Sequence, residues 1–320
     1  MTTANKILII VSERIGDVIF CTPAIHLLRL AHPQAIINVI ALSHFSAQVF
    51  DHNPDVNQVY VLPDKDVVKE LANTTDLVID LHNSDATIAY AKRLNKKTFT
   101  SPRSAENQHQ SVVATAFMQT VVGNAVTNFP EHYRLFPQSS HHEKIKSLLL
   151  SNGAQFTDKE ILIGCHMGNY KTAERAARFW KRNIYSKKTW PVEKFATLQQ
   201  MLYQENPNIK LVLTGSPSEQ GLTKKLHRKY PNLINIVGQT KLLELAALMP
   251  LLKVFLTGDT GPLHVAAATT VPIVALLGPT SAVQTGPRPL REHHVILQEN
   301  PLTKLDVAVV KEALLGFLSD

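Results

Sequence analysis

Short apolar runs alternate with longer amphipathic stretches along almost the whole chain. In the first half, Lys6–Val11, Ile36–Leu42, Val59–Leu62, Leu77–Leu81 and Thr98–Thr100 read as strands. Between them, Ala24–Ala31, His44–Asp51, Lys65–Ala72, Ala86–Arg93 and Val112–Val122 carry helical periodicity. The segment Asn128–Lys144 has two prolines and little periodicity, so it reads as a crossing segment, with a short helix over Ile145–Leu150 after it. Alternation then resumes. Glu160–Cys165, Leu211–Thr214, Ile234–Val237, Lys253–Thr257 and Pro272–Leu277 are predicted strands. Phe195–Gln204, Leu222–Lys229, Leu242–Leu248 and Val265–Thr269 are predicted helices, and "LDVAVVKEALLGFLSD" closes the chain as an amphipathic helix. This βα alternation predicts an α/β protein with two parallel sheets, one over 1–150 and one over 151–320, the last helix being free to pack back on the first domain. In such sheets ligands sit at the carboxyl ends of the strands, near topological switch points, and two facing domains would make that place a cleft.

Composition narrows the class. The 320 residues are 44% hydrophobic and 18% charged, which suits a folded globular protein of two ordinary domains. No apolar run approaches the ~18–20 residues of a membrane span. The start, "MTTANKILIIVSERIGD", lacks the long apolar stretch and small-residue cleavage site of a secretory signal. Cys21 and Cys165 stand far apart in apolar settings, as buried thiols of a reducing compartment do. The net charge of +7 favours an anionic partner such as a nucleotide or acidic lipid. No zinc-ligand spacing or RNA-binding signature points to nucleic acid. The pairs His141-His142 and His293-His294 lie in polar, loop-like segments and read as surface histidines, so no metal site is expected.

Four strand-end turns carry candidate chemistry. In "FLTGDTGPLHVAAATTVPIVALLGPT", strand, turn, helix and strand follow one another. The turn opens a helix, so free N–H groups gather near Thr260 and Gly261, a setting that binds phosphate. Asp259 reads equally as a helix cap, and His264 shares a helix face with Thr260. In "SERIGDVIF", Gly16 permits a tight turn and Asp17 stands at the start of the next helix, as a cap or as a general base. The stretch "HMGNYKTAERAARFWKRNIYSKKTWP" carries Lys171, Arg175, Arg178, Lys181, Arg182, Lys187 and Lys188 against one acid, Glu174. Such a run is either a solvated face or a phosphate contact. In "LTGSPSEQ", Glu219 can reach a sugar or ribose hydroxyl, or simply suit the first turn of a helix. Neither G-x-G-x-x-G nor G-x-x-x-x-G-K-[ST] occurs, which argues against the common dinucleotide and P-loop sites.

Together, "RIGDVIFCTPAIHLLR" and "GDTGPLHVAAATTVPIVALLGPT" resemble glycosyltransferase family 9, the bacterial ADP-heptose:lipopolysaccharide heptosyltransferases. The resemblance runs in order through nearly the whole chain. It implies a GT-B fold of two Rossmann-like domains, the first for the acceptor and the second for the nucleotide-sugar. It implies Asp17 as the base, and Asp259, Thr260, Gly261 and His264 as donor-binding residues. Lys188, before the Trp-Pro pair, would contact the donor phosphates, Glu219 the donor sugar or ribose, and Thr240 the base through its backbone. Two places depart from the family's pattern: Glu13-Arg14 and Gly168-Asn169 stand where small hydroxyl residues are usual, and the run from His166 to Lys188 is longer and more basic.

The implied activity is inverting, metal-independent heptosyl transfer from ADP-heptose to a lipid-linked lipopolysaccharide core. The enzyme would be a cytoplasmic monomer held at the inner face of the membrane by anionic lipid. A sugar-nucleotide epimerase, a family 9 transferase with another donor sugar and a non-enzymatic nucleotide-sugar binder are the alternatives. The basic run Asn169–Lys187 is read as an arm that engages the acceptor or the membrane, or as plain surface.

Overall fold

The computed structural model describes residues 5–129, 131–168, 187–220, 223, 230 and 233–318. The expected helix at Leu222–Lys229 and the basic run up to residue 186 lie outside the described residues, apart from Thr223. The chain forms two compact units, Met1–Phe136 and Pro137–Asp320.

The first unit is a five-stranded parallel sheet in the order β3-β2-β1-β4-β5. Its strands are β1 (Lys6–Val11), β2 (Ile36–Ala41), β3 (Gln58–Val61), β4 (Leu77–Asp80) and β5 (Thr98–Thr100). Strand β1 is central and is buried on both faces from Ile7 to Val11, which is why "ILIIV" is continuously apolar rather than alternating. Helices α1 (Ile15–Ala31), α2 (His44–Ala47), α3 (Lys65–Thr74), α4 (Asp85–Leu94) and α5 (Gln110–Val122) return the chain between strands or close the unit. Ser84 caps α4 with Thr87 in a reciprocal box, and Asp64 caps α3 through the N–H groups of Asp66 and Val67. Helix α1 runs from Ile15 to Ala31, with Asp17 in its first turn as expected, and it is buried from Val18 to Phe20 ahead of the periodic stretch Ala24–Ala31.

The end of this unit is fastened to α1. The Arg134 N–H donates to Thr22 Oγ1 at 3.0 Å, and its guanidinium Nε meets Asp55 Oδ2 at 3.1 Å. Asp55 is buried and its other oxygen lies 3.0 Å from His26 Nδ1.

The second unit is a six-stranded parallel sheet in the order β11-β10-β9-β6-β7-β8. The strands are β6 (Ile161–His166), β7 (Ile209–Thr214), β8 (Ile234–Asn235), β9 (Val254–Gly258), β10 (Ile273–Leu277) and β11 (His294–Gln298). Its helices are α6 (Ser139–Ser151), α7 (Val192–Glu205), α8 (Leu242–Leu248), α9 (Gly261–Ala267), α10 (Ala282–Thr285) and α11 (Val307–Leu315).

Three sequence expectations change here. The division falls at Phe136/Pro137 rather than 150/151, because α6 packs on α8, burying Ile145 and Leu149 and pairing Lys144 Nζ with Glu244 Oε1 at 2.6 Å. The last helix, α11, lies on α7 and joins Val310 and Leu314 to the core around Trp190 and Phe195. His294 is no surface residue but the first residue of β11, 8% exposed, and burial lowers its imidazole to about 4. His141 and His142 lie in α6, not in a loop.

Candidate functional site

In an open parallel sheet the two strands whose connections run in opposite directions leave a crevice at their carboxyl ends. That switch lies between β1 and β4 in the first unit, and between β6 and β9 in the second. Most of the candidate residues gather at these two places.

In the first unit, Asp17 lies in the first turn of α1, directly after β1. Its carboxylate Oδ2 accepts from Ser12 Oγ at 3.4 Å. Burial, the largest influence, raises its proton affinity above the ordinary carboxyl range, and the nearby His82 and Arg14 offset this only in part. His82 comes from the segment after β4, the strand beside β1, and its Nδ1 accepts the Ser12 N–H at 3.3 Å. Burial lowers the His82 imidazole, so it is neutral at physiological pH. His82 is hard to single out in the sequence because "DLHNSD" has the pattern of a polar turn. Its only signal is a histidine that closes an apolar run, the same signal that His166 gives at the end of β6.

The second unit builds a larger constellation. Lys188 precedes Trp190, which is 2% exposed, stacks edge-to-face on Phe195 and donates its indole N–H to the Leu305 carbonyl at 3.0 Å. The backbone at Lys187 crosses the end of β10 so closely that a Cβ on Gly278 would meet the Lys187 carbonyl oxygen at 2.6 Å, and that oxygen accepts the Leu302 N–H at 2.9 Å. Gly278 belongs to the Gly-Pro-Thr that ends the second motif, and its lack of a side chain lets the lysine segment pass. Lys188 Nζ then stands 4.0 Å from Asp259 Oδ2. Lys187 is exposed and has no such partner among the described residues.

Asp259 follows β9, and Thr260, not Asp259, is the N-cap of α9. Pro262 in the first turn lacks an N–H, and Leu263 N–H bonds back to the Thr260 carbonyl. The N–H of Gly261 has no acceptor among the described residues, so it is available to an anion. His264 is buried on α9, 4% exposed, rather than open to the crevice. A depression between His166, Gly168, Lys188, Gly258 and Thr260 marks the β6/β9 switch.

Glu219 closes the constellation on the β7 side. It is 5% exposed, and its Oε2 accepts both the N–H and the hydroxyl of Ser216, at 2.7 and 2.8 Å. Its Oε1 has no hydrogen-bond partner among the described residues and stands 3.9 Å from His166 Nε2. That imidazole is held neutral by burial, and its Nδ1 lies 3.3 Å from Thr214 Oγ1. Gly168 makes the arrangement possible, because a Cβ there would fall on the Glu219 carboxylate. Thr240 follows the Gly238 turn after β8. Gly238 has φ +77°, and its N–H bonds to the Gly215 carbonyl, so the β7 and β8 turns are tied together. The carboxyl ends of β9, β6, β7 and β8 thus present Asp259, Thr260 and Gly261, then Gly168, then Glu219, then Thr240. A cation, an anion-binding turn and an acceptor carboxylate in this order suit a diphosphate joined to hydroxyl-bearing groups.

Among the described residues no group of three or more His, Cys, Asp or Glu side chains is placed to hold a metal ion. Nor is any helix among them long and apolar enough to cross a membrane.

Comparison with known proteins gives the fold and the family. A solved family 9 glycosyltransferase from Veillonella parvula superposes with a TM-score of 0.80 at 22% identity, over 99% of this chain and 98% of that one. The Escherichia coli ADP-heptose lps heptosyltransferase II superposes at 0.77 with 20% identity, over 98% of both chains. The two units are therefore the Rossmann-like halves of a GT-B fold. The lipopolysaccharide heptosyltransferase 2 of Salmonella typhimurium is 24% identical over 313 residues, 88% of this chain and 85% of the relative. The model of Glycosyltransferase family 9 (heptosyltransferase) matches residues 69–312, a span that holds Lys188, Glu219, Thr240 and Asp259–His264 and leaves Asp17 outside. The chain belongs to glycosyltransferase family 9, the heptosyltransferases, and is a transferase enzyme.

Proposed function

We propose that the protein transfers a heptose from ADP-heptose to a sugar of the lipopolysaccharide inner core, with inversion at the anomeric carbon. The observation that carries this is the Lys188–Asp259 turn at the β6/β9 switch, beside the free N–H of Gly261, in a chain of this family. Asp17 takes the proton of the acceptor hydroxyl as that oxygen attacks the anomeric carbon. The bond from that carbon to the diphosphate oxygen breaks, and ADP leaves with the electron pair. Lys188 and the N–H groups of Thr260 and Gly261 meet the charge that grows on the diphosphate, and donors fixed where charge develops are usually a large catalytic effect. Glu219 Oε1 accepts a ribose or sugar hydroxyl, Thr240 meets the base through its backbone, and Asp259 holds Lys188 in place. His264 supports the turn from below. No metal takes part. The first unit receives the acceptor and the second the donor. The protein works in the cytoplasm as a monomer, and its net charge of +7 draws it to the anionic inner face of the membrane.

The test is incubation of the purified protein with labelled ADP-heptose, with and without lipopolysaccharide truncated to its innermost sugars. Label should reach the lipid only when the acceptor is present. Asp17→Asn should keep ADP binding and lose about 10²–10⁴-fold in turnover. Isomerised donor in the absence of acceptor would establish an epimerase instead, and neither product would leave a binder.

A further inference from the structure

At the β1/β4 switch side chains from two strand ends close around one turn. Asp80, the last residue of β4, is fully buried. Its Oδ1 accepts the N–H groups of His82 and Asn83 at 2.9 and 3.0 Å, and its Oδ2 accepts Thr87 Oγ1 at 3.0 Å. Asn83 sits at φ +51°, a conformation that asparagine tolerates better than most residues. The turn after β4 is thus locked, and it aims the His82 ring at the turn after β1. There the ring makes contacts on both edges. Nδ1 accepts the Ser12 N–H, so the proton of the neutral ring is on Nε2. On the other edge the Cys21 sulfur lies 3.9 Å from Nε2, and its thiol donates to the Asp17 backbone carbonyl at 3.4 Å.

We propose that His82 is a positioning residue for Asp17: its ring fixes the turn that presents the carboxylate. This role rests on Asp17 being the base named above. The ring itself is badly placed to be the base, since a second proton on Nδ1 would face the Ser12 N–H. What it does is hold Ser12 and Asp17 in one frame, so that Ser12 Oγ stays within reach of the carboxylate. A displacement of about 1 Å at a reacting group can cost ~10²-fold in rate.

Glutamine at position 82 tests the frame. Its Oε1 can accept the Ser12 N–H as Nδ1 does, and its amide NH2 can take the place of Nε2–H beside Cys21. His82→Ala should lower kcat by about 10–100-fold while the KM for ADP-heptose stays within about twofold. His82→Gln should recover kcat to within about threefold. Asp17→Asn/His82→Ala should be no slower than Asp17→Asn, because a residue that acts through Asp17 has nothing left to position. Thermal unfolding confirms that each variant is folded, and if His82→Ala is not, His82→Phe, which keeps the ring volume without the acceptor, decides by the same loss of kcat. An inactive Asp17→Asn together with a near-normal kcat in the folded variant that lacks the Nδ1 acceptor overturns the role of His82 alone. A near-normal Asp17→Asn overturns the base, and its positioning residue with it.

Discussion

Gly168→Ala is expected to cost the second unit stability and donor affinity together. Gly168 is buried at the end of β6, and a Cβ built on it lands on the Glu219 carboxylate. Because the obstacle is the far end of a side chain, the glutamate can swing away. Doing so breaks both bonds from Ser216 to Oε2, and it moves a carboxylate that is 5% exposed. A hydrogen bond to a charged group is worth about 1.5–3 kcal/mol. Two such bonds are lost, but the displaced carboxylate regains water, so the net loss is about 2–3 kcal/mol. For a unit of this size that is a fall of roughly 4–12 °C in Tm. Loss of the Oε1 contact to the donor should weaken ADP-heptose binding by about 10–150-fold. Differential scanning calorimetry and titration calorimetry read the two effects. Glu219→Ala should behave similarly for the donor, and Gly168→Ala/Glu219→Ala should be no worse than Glu219→Ala, since the clash is then gone. A Gly168→Ala protein with unchanged Tm and unchanged affinity would refute the packing argument and the role given to Glu219 together.

Lys188→Ala should weaken ADP binding by about 10–150-fold, the worth of a charge-assisted bond, while Lys187→Ala changes it little; the reverse result would place the phosphate contact one residue earlier. Exhaustive chelation should leave the transfer rate within about twofold, and a rate restored only by added divalent ion would contradict the metal-free mechanism. Asp55→Asn should lower the urea-derived stability of the first unit by about 3 kcal/mol, because Arg134 is left partly buried without its carboxylate. A loss below about 1 kcal/mol would show that the pair is incidental. For pH, His294 binds its proton near 6.5 when unfolded and at about 4 when folded, so the unfolded chain holds more protons between these values. Stability is therefore complete above pH 6.5 and falls by up to about 3 kcal/mol as pH drops to 4. His82 and His166 shift in the same sense, and Asp17 in the opposite one. His294→Gln should flatten the decline, and an unaltered slope would show that the residue is not buried in solution.

The parts of the site that could be read in the sequence are those that follow a strand through a glycine turn. Asp17 after Gly16, Glu219 after Gly215 and Asp259 after Gly258 announce themselves, because strand, glycine and polar residue mark the carboxyl end of a βα unit. His82 does not, since nothing along the chain says that β4 lies beside β1. Only the strand order brings it to Ser12 and Asp17. The contact between Gly168 and Glu219 is hidden for the same reason, as β6 and β7 become neighbours through pairing and not through proximity in the chain. Strand β11 is not evident in the sequence because "HVILQ" is short and follows a polar, proline-containing loop. Helix α6 looked half its length because its first turn, "SSHH", is polar. In the structure Gln138 and His141 cap that turn reciprocally.

The position of α6 decides how the donor-binding half could be produced by itself. A fragment cut where the sequence pattern suggests, after residue 150, would strip α8 of Ile145 and Leu149, each fully buried and worth about 1.5–3 kcal/mol. It would also leave the Glu244 carboxylate, 4% exposed, without Lys144. The sticky apolar face so created would invite aggregation of the free fragment. Beginning at Pro137 keeps the helix with the surface it covers, and the first unit then ends at Phe136, just beyond the point where Arg134 is anchored to Asp55 and Thr22.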